Sequence, residues 1–221
     1  MHYIGYMNKK DDSSYKEHFK NDIDSIILRK CILKSDIAKL PPFLYSGEIR
    51  VIERPEDIDD ALSLFNGYNI VGFDTETRPA FKKGEFYNVS LLQLGVDDVV
   101  CLFRLNKCGL SMSLCDFLAS SHIKKIGVGI RDDQKFLQKL RRFKPQGFIE
   151  LQDYVEDFGI TDKSFMKLMA IIFGVKISKR QRITNWEAET LTESQKLYSS
   201  TDAFGAYAMY LRLNELKRSQ L

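Results

Sequence analysis

Histidine is scarce in this 221-residue chain: there are three, His2, His18 and His122, and none follows residue 122. A Ser-His-Asp triad, a histidine general base or a zinc site with imidazole ligands is therefore poorly provided for. Cysteine is sparse too. The four, at positions 31, 101, 108 and 115, form no CxxC pair, so all read as reduced thiols rather than disulfides or zinc ligands. No apolar run approaches the roughly 20 residues that span a bilayer. The first ten residues, Met1 to Lys10, lack the apolar core of a signal peptide. Neither sign of charge dominates, since 33 basic against 30 acidic side chains leave a net +3. With 44% hydrophobic and 29% charged residues, the composition suits a cytoplasmic globular enzyme. At this length one sizeable core can form, so one α/β domain with an extension is expected.

What the chain does have is a set of carboxylates at the ends of regular elements. Asp74 and Glu76 follow the apolar run Asn69-Ile70-Val71-Gly72-Phe73. Two residues apart on a strand, they point to the same face. Asp133 follows Ile126-Gly127-Val128-Gly129-Ile130 and opens a predicted helix, with Asp132 beside it as a competitor. Tyr198 and Asp202 are i and i+4 on a long helix, hence neighbours on one side. Three distant segments can thus direct four hard oxygen ligands and a phenol to one point, the donor set that Mg²⁺ or Mn²⁺ takes. Each residue also has a plainer reading: a turn for Asp74, an exposed position for Glu76, a helix N-cap for Asp133, packing for Tyr198. Asp202 resists such a reading, because a carboxylate among apolar helix positions is costly unless it is paired or bound to a cation.

The remaining pattern divides the chain into a helical N-terminal extension, 1–46, and a domain, 47–221. Ser13 to about Leu40 reads as one or two helices with Ile23, Ile26, Ile27, Cys31 and Ile32 as an apolar stripe, closed by Pro41-Pro42. Strands are expected at 48–53, 69–75, 88–96, 98–103, 124–130 and about 148–151, with a tight turn at Asp97-Asp98. Helices are expected after Pro55, around 110–120 and over 133–143. Thr192-Glu193-Ser194-Gln195 is a capping box that starts the last helix, whose buried face would be Leu197, Thr201, Phe204, Ala208 and Leu211. Basic residues are uneven: Lys124 to Lys144 holds eight against two acids, and Lys176, Lys179, Arg180 and Arg182 precede the last helix. Basic flanks around an acidic centre suit a polyanion, although either cluster also reads as a solvated helix face.

At these residues the chain resembles the DEDD superfamily of 3′–5′ exonucleases. Val71-Gly72-Phe73-Asp74-Thr75-Glu76-Thr77, Lys125 to Gln134, and Leu197-Tyr198-Ser199-Ser200-Thr201-Asp202-Ala203 look like its three motifs in order. Tyrosine four residues before the last aspartate is similar to the tyrosine subclass, which includes RNase D and the Werner-syndrome-type exonuclease. Val89-Ser90-Leu91-Leu92-Gln93-Leu94 and Asn185-Trp186 followed by Leu191-Thr192-Glu193 resemble the Werner-type branch. The similarity runs from about Gly47 to the C-terminus. The sister subclass places a histidine before its last aspartate, which this chain lacks.

The resemblance implies a ribonuclease-H-like mixed five- or six-stranded sheet flanked by helices, its first three strands an antiparallel meander. It implies two divalent cations, Mg²⁺ or Mn²⁺, with Asp74 bridging both, Glu76 and Asp202 completing the site of the attacking water, and Asp133 supporting the second ion through water. Tyr198 would orient that water. The partner implied is a DNA or RNA 3′ end, with Thr75 and Leu91 near its terminal base and Lys179, Arg180 and Arg182 along its backbone. Trp186 reads as a core or hinge residue. Two other classes stay open on the residues alone. Phe73-Asp74-Thr75-Glu76-Thr77 echoes the haloacid-dehalogenase-like phosphatases, with Asp74 as a covalent nucleophile, but their second acid is Asp and Tyr198-x₃-Asp202 would have no purpose. A non-catalytic nucleic-acid-binding domain of the same fold is the third.

Overall fold

Six runs rich in β-branched and aliphatic residues form one sheet in the computed structural model, which describes residues 14–178 and 180–219. The strands are β1 (Glu48–Ile52), β2 (Ile70–Thr77), β3 (Val89–Gly95), β4 (Val99–Phe103), β5 (Lys124–Gly127) and β6 (Phe148–Glu150). Their spatial order is β1-β4-β3-β2-β5-β6, and β3 alone runs against the others. The antiparallel meander is β2-β3-β4, joined at Asp97-Asp98, where the Val96 N–H donates to the Val99 carbonyl at 3.0 Å. It is therefore not the chain's first three strands: β1 comes earlier and adds itself parallel to β4 at the edge. Every residue of β3 and β4 is buried, as expected of strands covered on both faces.

Eight α-helices accompany the sheet among the described residues: α1 (Lys34–Lys39), α2 (Ile58–Ser63), α3 (Leu105–Cys108), α4 (Met112–Ala119), α5 (Arg131–Leu140), α6 (Leu151–Tyr154), α7 (Phe165–Phe173) and α8 (Glu193–Ser219). The capping box forms as expected at the start of α8, with Thr192 Oγ1 accepting from the Gln195 N–H at 3.2 Å and Gln195 Oε1 accepting from the Thr192 N–H at 3.0 Å. This helix, about 40 Å long, packs on β2, β3, β4, β5 and α7. It is buried on all sides from Ser199 to Leu213, whereas Leu197 is half-exposed. The expected one-sided stripe is thus a fully enclosed segment, because both sheet and α7 cover it.

A close approach makes that enclosure work. A Cβ on Gly72 would lie 1.8 Å from the Ala203 carbonyl oxygen, and Gly95, opposite Gly72 across the β2–β3 pair, also lies under Ala203. Only a strand without side chains at these two positions lets α8 rest directly on the sheet. On the other face, the Cys101 Sγ approaches the Ala61 carbonyl of α2.

Residues 14–46 differ from the expected helical stripe. They form 3₁₀ turns at Ser14–His18 and Ile23–Ser25, extended chain, and the six-residue α1. Tyr15, Phe19, Ile23, Ile32 and Ile37 are buried, while Ile27 is 86% exposed and Cys31 is exposed. Tertiary anchoring decided this: the Phe19 ring stacks on Phe173 of α7 at 4.0 Å and on Phe43 at 4.7 Å. No helix among the described residues is long and apolar enough to cross a membrane.

Candidate active site

β2 delivers Asp74 and Glu76 to the face that α8 covers, and α8 delivers Asp202, the residue before Ala203. One carboxylate oxygen from each of the three lies within 4.8 Å of the others. Asp74 is half-buried, and Glu76 and Asp202 are buried. Among the described residues, no ion pair involves any of them. At that spacing each pair of full charges repels by roughly 3–4 kcal/mol at an effective dielectric constant near 20. Burial and then the neighbouring acids hold Asp74 well above the usual carboxylate range. Burial, then Asp202 and Asp133, push Glu76 up to about 9, with Arg182 opposing. Burial pushes Asp202 up to about 7 against the opposing effect of a hydrogen bond from Tyr198. Without a cation this centre therefore retains protons that ordinary carboxylates release.

Such a set fits divalent cations. The donors are hard oxygens, they converge from two elements, and their buried charge has no cationic side chain paired to it. Asp133, the third residue of α5, stands outside the trio. Its carboxylate accepts from the Thr75 hydroxyl, and its charge still raises both Asp74 and Glu76. Asp132 faces solvent, paired with Lys135 at 2.8 Å. Placement favours Asp133: α5 turns it towards β2 and Asp132 away.

The Tyr198 hydroxyl donates to Asp202 one helical turn on. Burial, then Asp202, Glu76 and Asp74, raise its ionisation above the ordinary phenol value. Its ring lies 6.2 Å from that of Trp186, which is fully buried and so a core residue. A clamp that the sequence reading missed holds this tryptophan. The buried Arg104 donates to the carbonyls of Ala188 and Glu189 and to Glu53, and Lys107 adds a bond to the Glu189 carbonyl at 2.6 Å. On the other side Gln195 Nε2 donates to the Asn185 carbonyl at 3.2 Å. An isolated arginine after an apolar strand carries no motif that would have revealed this.

The acids open into a cleft of about 440 Å³. Thr75, Tyr198 and Arg182 line it, as expected, and so do Lys163, Phe165 and Met166, which belong to no motif. Other expected contacts fall elsewhere. Leu91 is opposite Glu76 across the β2–β3 pair but is fully buried and away from the cleft, so it is a core residue, not a base contact. Arg180 is exposed and lines a neighbouring groove. Lys179 lies outside the described residues. In the first basic cluster Lys125 is fully buried, its ammonium donating to the Ser120 and Ile123 carbonyls at 2.6 and 2.8 Å beyond the end of α4. Burial pushes its pKa down to about 8, so it anchors the chain after a helix C-terminus rather than meeting a polyanion.

A family model described as 3′–5′ exonuclease matches residues 49–216. The chain is 32% identical over 200 residues to the mouse (Mus musculus) bifunctional 3′–5′ exonuclease/ATP-dependent helicase WRN, a match covering 85% of this chain and 14% of that protein. The chain thus spans about one seventh of that relative's length. Among solved structures, the Nibbler EXO domain of Aedes aegypti superposes with a TM-score of 0.70 at 21% identity, covering 79% of this chain and 91% of that one. Escherichia coli RNase D does so at 0.68 and 19% identity, covering 78% and 46%. These likenesses show the ribonuclease-H-like fold, a mixed sheet of six strands here with flanking helices.

Proposed function

This chain belongs to the 3′–5′ exonuclease family, and on that premise we propose that it hydrolyses phosphodiester bonds of DNA or RNA from the 3′ end, releasing 5′-mononucleotides. The observation that carries the reading is the meeting of Asp74, Glu76 and Asp202 within 4.8 Å in an open cleft. Asp74, Glu76 and Asp202 would hold two divalent cations, Mg²⁺ or Mn²⁺, with Asp133 in support through water. When bound, the cations supply Lewis-acid activation of the attacking water and charge stabilisation of the leaving 3′ oxygen.

The chain's own groups do the rest. Tyr198, as in the tyrosine subclass, would orient the attacking water through its hydroxyl; burial, the leading cause of its raised ionisation, favours the neutral phenol. Thr75 holds Asp133 in place through its hydroxyl. Arg182 at the cleft wall, with Arg180 and Lys179 beyond it, attracts the phosphate backbone. The division into an extension at 1–46 and a catalytic unit at 47–221 belongs to the same reading, as does a cytoplasmic location, supported by four free thiols.

Matched end-labelled DNA and RNA, each single- and double-stranded, test it. Shortening from the 3′ end in Mg²⁺ or Mn²⁺, abolished by EDTA and restored by the metal, is the expected outcome. Full activity in chelator would overturn the two-cation reading. Release of inorganic phosphate from small phosphoesters would favour a phosphatase instead.

A further inference from the structure

The hairpin between β2 and β3 leaves large apolar side chains in the open. Phe81 is 79% exposed and Phe86 92%, and Ile183, 67% exposed, lines one groove with Phe81. The groove holds about 300 Å³ and stands apart from the cleft of the acids. Arg78 forms its polar wall, with its guanidinium 4.5 Å from the centre of the Tyr87 ring and paired to Glu187 at 3.3 Å. Exposed apolar side chains gathered around a groove mark a binding surface.

Two continuities say what it meets. Arg78 is two residues beyond Glu76 along the same chain, about 7 Å at strand rise. Ile183 directly follows Arg182, which lines the catalytic cleft. Chain neighbours thus line the two grooves, so a strand whose last nucleotide occupies the cleft can reach the second groove within a few nucleotides. The lining charges nearly balance, with Arg78 and Lys82 against Glu85, while Phe81, Tyr87 and Ile183 supply apolar faces. That chemistry suits the face of a nucleobase better than a phosphate, and stacking of this kind tolerates any base.

We propose that this groove stacks one unpaired nucleobase of the strand being shortened, on the 5′ side of its terminal nucleotide. The inference rests on the exonuclease reading and narrows its substrate class to 3′ ends that are single-stranded for several nucleotides. A paired base would first have to leave its stack, at a cost that an unpaired tail avoids.

The test is binding of 5′-labelled single-stranded DNA and RNA decamers in EDTA, followed by fluorescence anisotropy. An abasic nucleotide is stepped through the first six positions from the 3′ end. With the wild-type chain, affinity should fall about tenfold when the abasic site occupies one position between the second and the fourth. The double variant Phe81→Ala, Ile183→Ala should bind the intact decamer about tenfold more weakly and be indifferent to the abasic site there. Phe81→Trp keeps a stacking ring and should retain wild-type affinity, which separates stacking from damage to the hairpin. Unchanged affinity in the double variant, or the same abasic penalty in both proteins, would overturn the groove. Turnover is read separately. Position-dependent binding without any shortening in Mn²⁺ would leave the groove standing and sink the catalytic reading; shortening with no position dependence would do the reverse.

Discussion

At the scale of single residues, the buried acids make opposite demands on the empty and the loaded site. Glu76 is pushed up to about 9 and Asp202 to about 7, above the values near 4 that they have in an unfolded chain. The folded metal-free state therefore holds protons that the unfolded state has lost. The stability this contributes is present at low pH and is lost as pH rises through about 7 and then about 9. Thermal unfolding in EDTA should show the midpoint falling from about pH 4, where the unfolded carboxylates ionise, and levelling off above about 9, with Mn²⁺ raising it most at the alkaline end. Asp202→Asn removes one of the repelling charges, so it should raise the metal-free midpoint at pH 8 while removing most turnover. Tyr198→Phe keeps the ring on Trp186 and deletes the hydroxyl alone. Single-turnover kinetics should show kcat lower by roughly 10²-fold, with KM and thermal midpoint nearly unchanged; a wild-type kcat would leave the phenol as packing.

Elements bring those residues together, and the contact between β2 and α8 is the one that decides the site. Gly72 stands two residues before Asp74, and Ala203 one after Asp202, so any displacement at this contact moves the acids apart. Gly72→Ala places a methyl group against a carbonyl that cannot yield without moving the helix. Overpacking of this kind costs about 1–3 kcal/mol, measurable by denaturant titration. Isothermal titration with Mn²⁺ should show weaker binding in the same variant; unaltered stability and affinity would mean that the helix shifts freely. The Arg104 clamp works at this scale too. It ties the 188–189 backbone to the end of β4 and so fixes the tryptophan against which Tyr198 packs.

For the whole molecule, residues 14–46 contribute side chains to the same core as the sheet and helices. Tyr15, Phe19, Ile23 and Phe43 are buried, and Phe19 and Phe43 cover Phe173 and Phe204 of α7 and α8. A chain beginning at Gly47 would expose that aromatic cluster. It should unfold at a markedly lower temperature than the full chain or become insoluble, as differential scanning calorimetry would show. An unchanged midpoint would mean that residues 1–46 are dispensable to folding.

Two kinds of information separate along these scales. Apolar runs and capping are local, so β2, β3, β4 and the start of α8 could be read in order from those runs, the Asp97-Asp98 turn and the Thr192–Gln195 box. The alignment of Asp74, Glu76, Tyr198 and Asp202 could be read as well, because spacing of two on a strand and four on a helix dictates a shared face. Burial is not local. Lys125 and Leu91 looked available to a ligand until packing enclosed them, and the apolar residues of 14–46 paired with α7 and α8 instead of forming their own stripe. Arg104 and the Phe81–Ile183 groove have no signature in a linear text, since each depends on segments that only meet after folding. The sequence by itself determined which acids and which tyrosine share a face and can converge. The tertiary structure decided which of them are within reach of a substrate, because exposure is a property of neighbours that lie far away along the chain.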